Sequence, residues 1–417
     1  MYPLSEQTKK ALRLLHESGY EAYIVGGCVR DYLLGMQPKD IDITTNAEPP
    51  QIKSVFAAFQ MIDTGLKHGT VTVLIDGTPF EITTYRVDLG YSDGRHPDAV
   101  RFTRSLYEDA ARRDFTMNAL AYNEEEGLID SFGGAADARA RIIRCVGDPD
   151  RRFQEDALRV LRALRFASSL GFSIEPATER ALFAHSALLP RISAERVAAE
   201  LEKLLCGDFV QPVLRRYASV LLPCFPELGS LSQDQVYQTA AICGGVRPYF
   251  PLRLAALFCR LAPQAASAGL ARLRLSNKTK AYTAALLAHF PDELSPSRPS
   301  VRRLLGALPP PAFFDLTSLK RADGEARGDA EALERIRAAE QCAQRALADG
   351  DCCSLAALAV NGADLKERGV RGAALGALLR SLLDAVIENR VPNEREALLR
   401  CAEELQTETI PDAEPPL

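Results

Sequence analysis

Residues Tyr23–Ile43 read YIVGGCVRDYLLGMQPKDIDI, and this stretch decides the fold. "AYIVGG" has the composition of a buried strand. "CVRDYLLG" reads as a short helix stopped by Gly35, and "IDITTN" as a second strand. Alternate side chains of a strand share a face, so Asp40 and Asp42 are expected to point one way while Ile41 enters the core. Two carboxylates so close repel each other unless a cation lies between them, and a hard oxygen-liganded ion such as Mg²⁺ suits that site. A lone Asp-x-Asp is equally the mark of a solvated acidic turn. Upstream, Gly26 and Gly27 stand between strand and helix, where backbone N–H groups can approach a phosphate, with Arg30 on the first turn. Alone they describe a tight turn; directly before the paired aspartates they describe a nucleoside triphosphate site.

Working outward, "GTVTVLIDGTPFEITTYRV" is two alternating runs around Asp76-Gly77, a strong hairpin signal. Glu81 in the second run is a candidate third acid if that strand pairs with "IDIT". A surface glutamate on a sheet edge is the competing reading. The mixed pattern holds to about residue 145, and almost everything beyond it has helical periodicity. "DRRFQEDALRVLRALRFASSLG" spaces its apolar residues as one helix ending at Gly171. "ISAERVAAELEKLLCG" reads as another, with Ser193 as N-cap and Gly207 as stop. "PDELSPSRPS" and "LPPPAFF" read as connectors. The fold class expected is therefore α+β and multidomain: a head with a small mixed sheet, followed by an all-helical remainder.

The 417 residues are 47% hydrophobic and 25% charged, with no tryptophan, which is ordinary for a globular chain of two to four domains. No apolar run reaches the roughly 18 residues of a membrane span, and "MYPLSEQTKKALRLL" lacks the layout of a signal peptide, so a cytoplasmic protein without a membrane partner is expected. Ten scattered cysteines, none in zinc-ligand or C-x-x-C spacing, read as reduced buried thiols. A net charge of −5 disfavours sequence-blind binding of duplexes but leaves room for a local basic groove.

In the neck region, Asp156, Arg159, Arg162 and Arg165 recur every third residue and are expected to form a row on one helix face. A solvated charged stripe is the bland account. The specific one starts from the bases. Cytosine and adenine each present an exocyclic amine beside an unprotonated ring nitrogen, whereas uracil and guanine present a carbonyl beside an N–H. An Asp acceptor next to an Arg donor fits the first pair, and each misfit with the second costs on the order of 1–3 kcal/mol.

"GGCVRD…LLG…KDIDI", "EITTYR", "YSDGRHPDAVRF", "RRDFTMNAL", "IDSFGG", "RFQEDALRVLRALRF" and "ISAERVAAEL" follow one another in that order. The series resembles the bacterial tRNA nucleotidyltransferases, the CCA-adding enzymes, within the DNA-polymerase-β-like superfamily. The likeness is dense from ~20 to ~205 and returns in "LAVNGADLKERGVRGAALGALLRSLLDAVIENRVPNEREALL". It implies a polymerase-β-like catalytic head over 1–145 and a base-recognising neck over 146–210. It implies a helical body over 211–300 and a tRNA-binding tail over 301–410, with 411–417 expected to be disordered. It implies that the 3′ end of tRNA attacks CTP or ATP with loss of pyrophosphate, using Mg²⁺ on Asp40 and Asp42. Gly27, Arg30, Arg113, Arg162 and Arg165 match nucleotide-binding positions of the family, and Asp156 with Arg159 matches its base-selecting pair. Asp114 and Asn118 share the Arg113 motif. The segment 87–102 corresponds to a flexible loop that is shortened in CC-only relatives; "DGRHP" is present here, which favours full CCA addition over CC-only addition. A poly(A) polymerase shares the head and neck but typically adds a basic C-terminus, which this chain lacks. A non-catalytic RNA-binding relic is expected to have lost a metal aspartate, and both are present. "RLRL", "SNKTK", Lys366, Arg368 and Arg371 are candidate contacts to tRNA phosphates. No DNA partner is expected, and the oligomeric state is left open.

Overall fold

The structure, a computed structural model, describes residues 4–65, 69–89 and 99–408. It divides into two compact units, residues 1–236 with 268–275 and residues 237–267 with 276–417.

The first unit opens with α1 (Glu6–Glu17), β1 (Ala22–Val25), α2 (Gly27–Leu33), β2 (Asp42–Thr45) and α3 (Pro49–Val55). The chain continues through β3 (Gln60–Gly65), β4 (Thr70–Ile75), β5 (Thr78–Thr84), β6 (Arg86–Leu89), β7 (Ala99–Phe102) and α4 (Leu106–Ala111). It then forms β8 (Leu120–Asn123), β9 (Gly127–Asp130), α5 (Gly134–Arg139) and the short β10 (Ile142–Ile143). Seven strands make one sheet in the order β3-β4-β5-β2-β1-β8-β9, antiparallel throughout except for the parallel β2·β5 pair. The β4–β5 hairpin turns on Asp76 (φ 49°) and Gly77 (φ 81°), the doubly left-handed turn that the dipeptide predicts. Period-two alternation sorts the sheet's faces. Ile24, Ile43, Phe80 and Ile82 pack with Leu12, Leu15, Val29, Ile52 and Phe56 under the helices. Tyr23, Val25 and Ala121 meet Tyr85 in a separate cluster. Asp42 and Glu81 alternate with the helix-facing residues, so they belong to the second face.

Helices follow: α6 (Pro149–Glu155), α7 (Leu158–Leu170), α8 (Pro176–His185), α9 (Ala194–Leu205) and α10 (Val210–Tyr217), with the two-residue β11 (Ser173–Ile174) pairing β10. The single helix expected over 151–171 is in fact two. Asp156 is extended (φ −140°, ψ 101°) and ends α6, while its Oδ1 accepts from Leu158 N, the first residue of α7, at 3.0 Å. Asp competes with the helical backbone through its own side chain, which is the physical reason for the break. Gly171 ends α7 in the left-handed conformation, as expected. Ser193 does precede α9, but its hydroxyl makes no capping bond. Cys206 is the C-cap of α9, and the glycine after it serves another purpose. A Cβ on Gly207 would lie 2.3 Å from Ser168 Oγ, so its smallness lets the end of α9 press against α7.

Helices continue with α11 (Gln233–Gly245), α12 (Phe250–Phe258), α13 (Pro263–Arg272), α14 (Asn277–His289) and α15 (Arg298–Ala307). After them come α16 (Pro310–Arg327), α17 (Ala330–Ala348), α18 (Gly362–Glu367), α19 (Ala373–Ile387) and α20 (Arg395–Glu408). "LPPPAFF" is not a connector beyond its first two residues: Pro310 and Pro311 start α16, where proline's missing N–H costs nothing. Within the second unit, buried Arg302 donates to Asp351, Asn389 and the Ile387 carbonyl, tying α15 to the end of α19. All ten cysteines are free, five buried and five partly buried. No helix among the described residues is long and apolar enough to cross a membrane. The tip of the segment expected to be a flexible loop, 90–98, and the tail 411–417 lie outside the described residues; the arms β6 and β7 pair antiparallel.

Candidate active site

A cleft of about 440 Å³ opens in the first unit, lined by Gly26, Gly27, Arg30 and Asp42 from the β1–α2–β2 stretch, by Arg112, Arg113, Asp114 and Asn118, and by Asp156, Arg159, Arg162, Arg165, Phe166 and Arg196 from the helices. Seven guanidiniums thus face three carboxylates on a protein whose net charge is −5. A polyanion is the ligand such a surface favours.

At one corner, Asp42 and Glu81 are direct register partners across the parallel β2·β5 pair, so the strand pairing on which Glu81's candidacy depends exists. Asp42 lines the cleft, exposed as a residue overall although its carboxylate is partly shielded from water, and Glu81 beside it is exposed. Asp42's pKa is raised, first by desolvation and then by the charges of Glu81 and Asp40, with Arg113 opposing. Asp40 is exposed and lies two residues before Asp42, where β2 begins, and its charge acts on the Asp42 carboxylate. Ile41 does pack against the core. Among the described residues no three His, Cys, Asp or Glu side chains converge at metal-ligand spacing.

Gly26 has φ 79°, and a Cβ there would lie 3.1 Å from Arg113 Nη1, so the turn's conformation and the closeness of that guanidinium both call for glycine. Gly27 starts α2 under no comparable constraint. Arg30 is buried and pinned: Nη1 donates to Asn118 Oδ1 at 2.7 Å, and Nε and Nη2 donate to Asp31 Oδ1 at 2.9 and 2.7 Å. Arg113 Nη2 donates to the fully buried Asp109 at 3.2 Å.

At the opposite corner the charges are matched. Asp114 Oδ2 accepts from Arg162 Nε at 2.8 Å and Nη2 at 2.6 Å, and its Oδ1 accepts from Asn118 Nδ2 at 3.1 Å. Burial alone would push the Asp114 carboxyl upward, but Arg162 and Asn118 bring it down to about 2. Asn118 therefore links Arg30 to Asp114, and through it to Arg162 on α7. Phe166 serves the same wall: Arg30, Arg162 and Arg165 stand 5.3, 5.6 and 4.0 Å from its ring centre. Arg159 is buried, donating to the Arg152 and Arg112 carbonyls at 3.0 and 2.9 Å and to Glu155 Oε2 at 3.0 Å.

The structure thus brings Gly26, Gly27, Arg30, Asp42, Arg113, Asp156, Arg159, Arg162 and Arg165 to one cleft, with Glu81 beside Asp42 and Asp40 near it but outside the lining. Sequence reasoning missed Arg112, Phe166 and Arg196 in the lining and Glu200 behind it. Phe166 follows directly on the every-third-residue row; Arg196 and Glu200, on α9, fall inside the "ISAERVAAEL" segment, which on its own assigns them no partner. Among the other basic candidates, Arg272 pairs with Glu227, Arg274 with Glu195, and Arg368 with Glu403.

Three family models match the chain: the poly A polymerase head domain over 22–144, the probable RNA and SrmB-binding site of polymerase A over 171–229, and the putative domain 2 of tRNA nucleotidyltransferases over 252–402. A CCA-adding enzyme of Limosilactobacillus fermentum is 37% identical over 408 residues, covering 96% of this chain and 97% of that one. One of Lacticaseibacillus paracasei is 38% identical over 408 residues, 96% of each chain. The crystal structure of the Bacillus stearothermophilus CCA-adding enzyme in complex with CTP matches with a TM-score of 0.79 at 33% identity, covering 98% of this chain and 99% of that one.

Proposed function

Because the chain belongs to the CCA-adding enzyme family of tRNA nucleotidyltransferases, we propose that it adds C, C and A in turn to the 3′ end of tRNA, taking CTP and ATP and releasing pyrophosphate. One observation carries the reading at this site. Asp42, opposite Glu81 in register and raised in pKa first by desolvation and then by Glu81 and Asp40, lines a cleft in which seven guanidiniums outnumber three carboxylates. That is the charge layout a nucleoside triphosphate and a cation complete together.

Arg30 and Arg113 are assigned to the triphosphate, with Gly26 keeping the turn clear of the Arg113 guanidinium. Gly27 opens α2 beside them. Arg162 and Arg165 extend the cationic wall along α7. Asp156 and Arg159 are assigned to the base, accepting from its exocyclic amine and donating to its unprotonated ring nitrogen. Asp40, Asp42 and Glu81 are hard oxygen donors close enough for Glu81 and Asp40 to add to the desolvation that raises Asp42, and such a cluster fits a divalent cation, assigned here as Mg²⁺. When bound in the two-metal manner, it supplies charge neutralisation at the α-phosphate and favours ionisation of the attacking 3′-hydroxyl. Arg30, Arg113, Arg159, Arg162 and Arg165 hold the nucleotide in place, which lowers the entropic share of the barrier.

The test offers purified protein, Mg²⁺ and a tRNA transcript ending before CCA, with CTP, ATP, UTP and GTP singly and then CTP with ATP. The products are counted on a sequencing gel. Two additions with CTP alone and a stop at three with both nucleotides are expected. A long adenylate ladder would instead make it a poly(A) polymerase, and a halt at two with both present would make it CC-only.

A further inference from the structure

Helix α9 carries Arg196 and Glu200 four residues apart, so both side chains leave the same face. Arg196 Nη2 donates to Asp156 Oδ2 at 3.0 Å, while Asp156 Oδ1 is held by Leu158 N at 3.0 Å. One turn further on, Glu200 is 6% exposed, with Oε2 3.2 Å from Arg165 Nη1 and Oε1 3.7 Å from Arg162 Nη1. One helix face thus reaches three of the four neck residues assigned to base and phosphate. The other terminal nitrogen of Arg196 is shut off from solvent without a hydrogen-bond partner. Leaving a buried guanidinium N–H unpaired is costly, and an arginine serving only the surface would avoid it.

A carboxylate turns easily about its last torsion, which has broad, two-fold preferences. If Asp156 turned freely it would accept from the ring N–H of uracil or guanine nearly as well as from the exocyclic amine of cytosine or adenine. Discrimination therefore needs the carboxylate plane fixed, and Arg196 provides the second anchor that the Leu158 amide alone does not. Glu200 acts elsewhere on the nucleotide, holding two guanidiniums of the cationic wall, whose natural ligands are the phosphates that all four nucleotides share.

We propose that Arg196 and Glu200 form a backing pair behind the nucleotide, in which Arg196 is a positioning residue for base selectivity and Glu200 a positioning residue for base-independent affinity. The proposal rests on the assignment of Asp156 to the base. It divides two properties between two residues one helical turn apart, and a merely structural role for α9 would not separate them.

The test measures kcat and KM for each of the four nucleotides on the same truncated tRNA, in wild type, Arg196→Gln, Arg196→Lys and Glu200→Gln. The ratio of kcat/KM for CTP over UTP is read within one preparation, so a misfolded fraction cancels. Arg196→Gln is expected to narrow that ratio about tenfold, equivalent to about 1.4 kcal/mol, and Arg196→Lys to recover part of it. Glu200→Gln is expected to raise KM for all four nucleotides together, with the ratio within about twofold of wild type. An unchanged ratio in Arg196→Gln, or equal narrowing in both variants, would overturn the proposal. A wild type that does not prefer CTP to UTP would overturn the base assignment itself, and is told apart because it shows before any substitution is made.

Discussion

Asp42 and Asp114 line the same cleft, and their environments push them in opposite directions. Asp114 is buried, held by Arg162 and Asn118, and brought down to about 2. Asp42 is raised by burial and by two acidic neighbours, with Arg113 only partly offsetting them. The first corner is completed by the protein itself. The second is left with an electrostatic surplus, a state that folding alone does not select and that a bound cation relieves. On the proposed function, stability is concentrated at one corner and chemistry at the other.

The largest effect expected from breaking this contrast is on rate. Asp42→Asn should lower nucleotide addition by at least about a thousandfold, since several kcal/mol of transition-state charge stabilisation depends on the cation it helps hold. Its thermal midpoint should stay level or rise, because the substitution removes a like-charge repulsion. A variant that lost activity only by unfolding would contradict the contrast.

Asp114→Asn should do the reverse and destabilise the fold. It leaves Arg162 without its closest counterion, at a cost of about 2 kcal/mol, somewhat below the buried-pair figure because Arg162 keeps Glu200. Urea unfolding of the two proteins at neutral pH checks this.

The same contrast can be sharpened with acid. Asp114 has a folded pKa lowered from 3.8 to about 2, so its contribution is present above its ordinary value and is lost as pH falls from about 4 towards 2. That loss is roughly 2 kcal/mol. Asp42 is raised, so its ionised form opposes folding, and that penalty is relieved as pH falls through its range. Wild-type stability minus that of Asp114→Asn, followed by urea unfolding from pH 5 to 2, should shrink over the acid limb; a flat difference would remove Asp114 from the account.

Much of the corner around Asp42 and Glu81 was legible in the sequence because its signals are local. Asp76-Gly77 fixes a hairpin, and the alternation around Glu81 fixes which face that residue takes. That β2 pairs with β5 was an assumption and that it does so in parallel was not foreseen, since strand partnership across nearly forty residues leaves no periodic trace. The break at Asp156 was missed because the every-third-residue row runs straight across it; an Asp directly before an apolar helical run was the available sign. Arg196 and Glu200 sit inside the "ISAERVAAEL" segment, yet a charged pair at helical spacing does not say what packs against it.

The decisive measurement is calorimetric titration of Mg²⁺ into the protein with CTP present, in wild type and in Asp42→Asn. Saturable binding to the wild type and its loss in the variant are predicted, with both proteins equally folded by circular dichroism. Equal binding to both would contradict the assignment, and would place the cation away from the corner where β2 meets β5.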